Sequence, residues 1–134
     1  MSNAIIRNHF ETRLAAWAAA QTPAIPVTYE AIPFTKPADG MFLECFLMPG
    51  LTMNRSVSGT NATYIGLFQI NLWGRQDRGM GALEKVSSGI VSLFPVFPKS
   101  GKVSIDELPR AEPSAADPSG WIVIPHVIKY RYES

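Results

Sequence analysis

The sequence predicts an α+β fold: a mostly antiparallel sheet with two helices packed on one face, in the order α-β-β-β-α-β-β. Two segments repeat apolar residues every three or four positions, the signature of amphipathic helices. The remaining apolar segments are short, rich in β-branched and aromatic residues, and separated by Pro/Gly turn chemistry. The 134 residues fit a single domain over 1–134, long enough to hold a core without covalent staples.

The first helix is expected over Asn3 to Gln21. Ile6, Phe10, Leu14 and Trp17 fall on one face, the alanines from Ala15 to Ala20 favour helix, and Ser2 or Asn3 is placed to cap the start. Thr22-Pro23 ends it, because proline cannot continue the hydrogen-bond ladder. A short strand follows near Val27 to Ile32, and a turn over Lys36-Pro37-Ala38-Asp39-Gly40 leads to a second strand, Met41 to Met48, closed by Pro49-Gly50. The polar stretch Leu51 to Asn61 reads as an extended loop with fast backbone motion. A long strand, Ala62 to Trp73, and a charged turn over Gly74 to Gly79 precede the second helix, Met80 to Leu93. Its stripe is Leu83, Val86, Ile90 and Leu93 or Phe94. Gly89 inside that helix costs about 1 kcal/mol against alanine, which either argues against a helix there or marks close packing. A weaker strand near Lys102 to Leu108, a loop from Pro109 to Gly120 and a closing strand from Trp121 to Tyr132 complete the chain.

Strand faces separate by odd and even positions. In the second strand Leu43, Cys45 and Leu47 oppose Phe42, Glu44, Phe46 and Met48. In the third, Tyr64, Phe68, Ile70 and Leu72 oppose Ile65, Leu67, Gln69, Asn71 and Trp73. Both faces are substantially apolar, whereas a sheet packed on one side alternates apolar with polar. Two helices cover one face. The other is covered by a neighbouring subunit or by loops folded back over it, or carries isolated exposed apolar residues that need no cover.

Composition narrows the function. Apolar residues make up 46% of the chain and charged residues 17%, which argues against disorder and leaves unusually little charged surface. A net charge of +1 lacks the basic excess of a dedicated nucleic-acid binder. The first residues do not read as a secretory signal, and no apolar run approaches a membrane span. With Cys45 as the single cysteine, a cytosolic protein is expected.

Catalytic constellations are sparse. His9 lies on a helix flank, Cys45 lies mid-strand among leucines, and His126 shares a strand face with Ile124, Ile128 and Tyr130. A small enzyme or ligand-binding domain would have to use these three, and structural roles suit each better. No spacing of His and Cys fits zinc. Asp106-Glu107 points to opposite strand faces, and Gly79-Met80-Gly81 lacks the rest of a phosphate-binding motif. No catalytic residue, metal or cofactor is expected. From Cys45 to Gln76 there is no acidic residue, while Arg55 and Arg75 are present. A loop with Arg55 and many hydroxyls could approach an acidic neighbour, though a solvated loop accounts for the same pattern.

Several segments together resemble the tail-terminator family of tailed phages and prophages. They are the helix leading to Val27-Thr-Tyr-Glu-Ala-Ile-Pro-Phe34, the strand Met41 to Pro49, and the long strand Thr63-Tyr-Ile-Gly-Leu-Phe-Gln-Ile-Asn-Leu-Trp73. The helix ending in Leu93-Phe94 and the closing strand Gly120-Trp-Ile-Val-Ile-Pro-His-Val-Ile-Lys-Tyr-Arg-Tyr132 complete the match. The resemblance covers nearly the whole chain and rests on order and spacing. It implies a non-enzymatic structural protein, a minor tail protein that forms a ring, usually hexameric, at the end of the tail tube. That ring stops tube elongation and joins the tail to the head-neck connector. The resemblance makes the central polar loop, here Pro49 through Ala62, an arm toward a neighbour or the lumen, so the candidate assembly arm and interface residues are Thr52, Asn54, Arg55, Ser56, Ser58, Asn61, Arg75 and Arg78. The implied partners are other copies of the chain, the tube protein and the connector protein, with DNA at most passing through the lumen and no membrane. The implied location is the host cytoplasm during assembly, then the virion tail. Another neck or head-closure component is the alternative within the same class.

Overall fold

In a computed structural model the described residues are 2–21, 24–35, 40–54, 62–75, 79–94, 103–105, 107–116 and 118–133. The elements are α1 (Ser2–Ala19), β1 (Val27–Thr28), β2 (Phe42–Asn54), β3 (Ala62–Arg75), α2 (Gly81–Leu93), β4 (Val103–Ile105), β5 (Arg110–Ala111), β6 (Ala115–Ala116) and β7 (Trp121–Glu133). They form one seven-stranded sheet of order β1-β2-β3-β7-β4, with β5 and β6 also on β7. Every pairing is antiparallel except β1 with β2. The expected α+β class, element order and two-helix arrangement are borne out.

The long strands meet in register, so their side chains form rows. Leu43, Leu72 and Ile124 make one row, Cys45, Ile70 and His126 the next, and Leu47, Phe68 and Ile128 a third. All point to the face that carries the helices. There Ile6, Phe10, Leu14 and Ala18 of α1, with Leu83, Ile90 and Phe94, complete a buried core. Ala18, four residues beyond Leu14, takes the last core position, and Trp17 lies half-buried beside it. Phe10 is the keystone. Its ring stacks on Phe68 at 4.6 Å and also meets Phe94 at 5.5 Å and Tyr130 at 5.7 Å. The Arg13 Nε–H donates to the Leu93 carbonyl at 2.9 Å, tying the two helices together. A Cβ on Gly89 would lie 2.7 Å from the Trp17 ring, which is the close packing expected of that glycine.

Several boundaries differ from the sequence reading, among them the end of α1, at Ala19 and not Gln21, and the end of β3, which takes Gly74 and Arg75 from the expected turn. The first strand stops at Thr28, not Ile32, because the chain turns at Tyr29–Ile32, with Ala31 at φ +63°. The Glu30 carboxylate then replaces the missing ladder, accepting from the Leu47 N–H at 2.7 Å and from Arg7 at 3.0 Å. The second strand does not close at Pro49-Gly50. It passes through a β-bulge between Pro49 and Thr52 and runs on to Asn54, so residues 51–54 belong to a strand and not to the expected mobile loop. The loop expected over Pro109 to Gly120 contains β5 and β6, which continue β4 as a broken edge strand along β7. The weak fourth strand shrinks to Val103–Ile105. Pro125, within β7, lies opposite the gap between β5 and β6; its carbonyl accepts from the Glu112 N–H at 2.8 Å, and without an N–H it cannot return that bond, which interrupts the edge strand there.

Candidate assembly surface

The face away from the helices is built by the alternate residues of the same strands. Phe46, Ile65, Leu67, Val123, Pro125 and Val127 stand on it half-buried, and Met48 is exposed. Their burial comes from cross-strand neighbours: Phe46 lies opposite Gln69, Met48 opposite Leu67, and Gln69 opposite Val127. Across the middle runs a polar chain. Gln69 Nε2 donates to Asn71 Oδ1 at 2.8 Å, Asn71 Nδ2 donates to Glu44 Oε1 at 3.1 Å, and Trp73 Nε1 donates to the same oxygen at 3.1 Å. One corner is closed by aromatic rings. Phe42 packs between Phe34 at 5.4 Å, Trp73 at 6.0 Å and Trp121 at 5.3 Å, and the Arg75 guanidinium sits 4.9 Å above the Trp121 ring. This is a half-apolar sheet surface whose Gln69, Asn71, Trp73 and Glu44 side chains are joined by hydrogen bonds, the composition of a contact surface more than of a reactive cleft.

The predicted interface residues do not form one cluster. Thr52 and Asn54 lie at the far end of β2, opposite Tyr64 and Ala62. Arg75 lies at the other end of β3, roughly 40 Å away along the strand. Arg55, Ser56, Ser58, Asn61 and Arg78 lie outside the described residues, as do Thr22, Pro23 and Asp106. Glu107 is described and pairs with Lys129 at 3.4 Å.

The three residues an enzyme would need are also dispersed. Cys45 and His126 share a row but flank Ile70, two strand spacings apart, or about 10 Å. Burial pushes the Cys45 thiol up to about 12, and its Sγ–H contacts the Thr28 carbonyl at 3.6 Å. It is a small core residue and not a ready thiolate. His9 packs edge-on against its neighbour Phe10 at 5.3 Å.

His126 is fully buried beneath α2. Its Nδ1 lies 3.2 Å from the Ile70 carbonyl, which only accepts, so Nδ1 carries the proton. Nε2 therefore accepts from the Ser87 hydroxyl at 2.6 Å, strapping α2 to the sheet. Burial lowers the affinity of this ring for a second proton, against the opposing pull of the Ile70 and Ile124 carbonyls. His9 is lowered too, by burial and then by Arg13. A depressed folded-state value means that the unfolded chain binds more protons near pH 6, so stability is full above 6.5 and declines as pH falls. Glu30, also lowered, acts only below its usual 4.5. Urea midpoints should therefore fall between pH 7 and pH 5. The slope should persist in His9→Gln and flatten in His126→Gln. An unchanged slope in His126→Gln would remove the buried ring as its cause.

A cleft of about 530 Å³ opens between the helices, lined chiefly by Trp17, Ile25, Met41 and Val86, with Gln21 and Lys85 at its polar side. It brings together no acid–base pair. Among the described residues no group of His, Cys, Asp or Glu could hold a metal, and no helix is long and apolar enough to cross a membrane.

Comparison with known proteins agrees with this geometry. Residues 5–130 match the family described as phage tail terminator protein. Four chains of solved structures match. One is 32% identical, with a TM-score of 0.80, over 98% of this chain and 96% of its own. No curated protein matches.

Proposed function

This chain belongs to the phage tail terminator family, a structural protein of the virion tail, and we propose that it forms a ring at the end of the tail tube. The ring, hexameric in this reading, stops elongation of the tube and presents a surface to the head-neck connector. No catalytic step is part of that role. The observation that carries the reading is the sheet face without a helix. Phe46, Ile65, Leu67 and Val127 are half-buried in the single chain, and nothing among the described residues of the helices covers them. A ring subunit meets neighbours on more than one side, so apolar surface is hidden in the assembly that a monomer would expose. A contact joining two different patches closes into a ring when its rotation permits.

The test is direct. Purified tail tubes mixed with this chain and imaged by negative stain should carry an extra ring at one end and should stop lengthening when tube protein is added. Tubes that keep growing, with no density at their ends, would refute the capping role. A chain that binds only the connector ring would move it to the head-closure class.

A further inference from the structure

We propose that neighbouring copies are joined by a knob and a hole: Leu108 of one copy enters the cleft between the helices of the next, and the adjacent Glu107 pairs with Lys85 at its rim. This rests on the ring reading above and names one contact that closes it.

The knob is the most exposed large apolar side chain among the described residues. Leu108 is 70% exposed, against 60% for Leu51 and 59% for Ile32. It is not a loose tip. β4 before it and β5 after it both pair with β7, and the neighbouring Pro109 is buried. The side chain is therefore held out from a segment pinned at both ends, which lowers the ordering cost of burying it against a partner.

Single exposed apolar residues are common, so exposure alone decides nothing. What singles out Leu108 is the carboxylate beside it. Glu107 meets Lys129 at 3.4 Å, and both side chains are half-exposed or more. Such a pair contributes little and exchanges partners at small cost. The other two candidates lack this. Ile32 follows Glu30, which is already tied to Leu47 and Arg7, and Leu51 lies in the stretch without acidic residues.

The hole has the matching chemistry. Trp17, Ile25, Met41 and Val86 wall the cleft of about 530 Å³, ample for a leucine side chain. Gly89 has no side chain, so the Trp17 ring closes against α2 and forms one wall. Lys85 stands exposed at the rim and makes no ion pair among the described residues. An apolar cleft beside an unpaired ammonium favours an apolar side chain with a carboxylate next to it. Glu107-Leu108 is that pair.

Placement makes the contact intermolecular. Glu107 and Leu108 join β4 to β5 at one margin of the sheet, whereas Ile25 and Met41 lead into β1 and β2 at the other. α2 stands between them. Lys85, Val86 and Gly89 face the cleft, while Ser88 lies on the side of Ala111 and Ser114. A copy therefore cannot fill its own cleft with its own Leu108. A contact between two different patches repeats head to tail from copy to copy, the arrangement a ring needs.

The experiment titrates ring formation on tube ends by negative stain, with a melting curve for each variant. Leu108→Ala, Glu107→Lys and Lys85→Glu alter side chains exposed in the single chain, so each should melt within a few degrees of the parent. Each should raise the concentration needed for rings by about tenfold or more. Combining Glu107→Lys with Lys85→Glu exchanges the two charges and should bring that concentration back to within about threefold of the parent's. Rings from Leu108→Ala at the parental concentration would overturn the knob and leave the ring reading standing. A charge-exchanged double variant no better than either single one would overturn the contact as well, since the two charges would then not meet. Absence of rings from the parent chain would defeat both readings.

Discussion

Gly66→Ala should destabilise the folded chain by about 3 kcal/mol, the upper end of the range for forcing atoms into a packed interior. Gly66 lies in β3 opposite Pro49, and a Cβ there would fall 2.6 Å from the Met48 carbonyl oxygen, 2.6 Å from the Tyr130 hydroxyl and 2.8 Å from the Gly50 nitrogen. Two of those atoms are backbone of the adjoining strand and cannot rotate aside. Gly50 is held in the same way, its own Cβ position lying 2.7 Å from the Ile65 carbonyl oxygen. The paired glycines let β2 and β3 close on each other at the bulge, and the end of β2 is aimed by that bulge. Urea unfolding at unchanged denaturant slope measures the loss. Tyr130→Phe separates the contributions. The Tyr130 hydroxyl is buried and lacks a hydrogen-bond partner among the described residues, so its removal should stabilise by about 1 kcal/mol. Gly66→Ala combined with Tyr130→Phe should still stand well below the parent, because the backbone contacts remain. Full recovery in the double variant would mean that the hydroxyl alone sets the spacing.

This corner also marks the limit of what the residues disclose by themselves. Alternation along β2 and β3 separates the two sheet faces, and the sorting of Leu43, Cys45 and Leu47 from Phe46 and Met48 holds in the fold. Helical spacing finds Ile6, Phe10 and Leu14 because each contributes to one buried stripe whatever lies opposite. Pro49-Gly50 is different. The pair has the local chemistry of a turn, and only the approach of Gly66 from another strand makes it a bulge inside a continuing one. β5 and β6 are two residues each and take their strand geometry from β7, so no local pattern announces them. The Ser87–His126 bond joins residues 39 apart and could not be read before the helix was seated on the sheet. For the assembly surface, the excess of apolar strand faces was legible. That Arg75 lies at the opposite end of the long strands from Thr52 and Asn54 was not legible, because a charge-poor stretch of sequence does not say which end of a strand each residue occupies.

The open face makes a sharper demand on the assembled state than on the single chain. Leu67 stands near its centre, opposite Met48 on β2 and Lys129 on β7, and remains half-buried. In the free chain Leu67→Glu places a carboxylate on a partly solvated surface beside the Lys129 ammonium. A cross-strand pair of opposite charge there contributes a few tenths of a kcal/mol, so the variant should melt within a few degrees of the parent. Once a partner covers the face, the same carboxylate loses its water, and only an ideally placed counter-charge would offset a penalty of several kcal/mol. Affinity for the neighbour that docks there should fall at least 100-fold, which corresponds to about 2.7 kcal/mol. The control is Ile70→Glu, on the same strand but on the helix-covered face and fully buried, which should fail to fold. The measurement is capping of tubes by titration under the electron microscope, read beside the melting curve of each variant. A Leu67→Glu chain that folds and caps at parental concentration would show that this face stays open in the virion, and the apolar excess would then need a cause other than assembly.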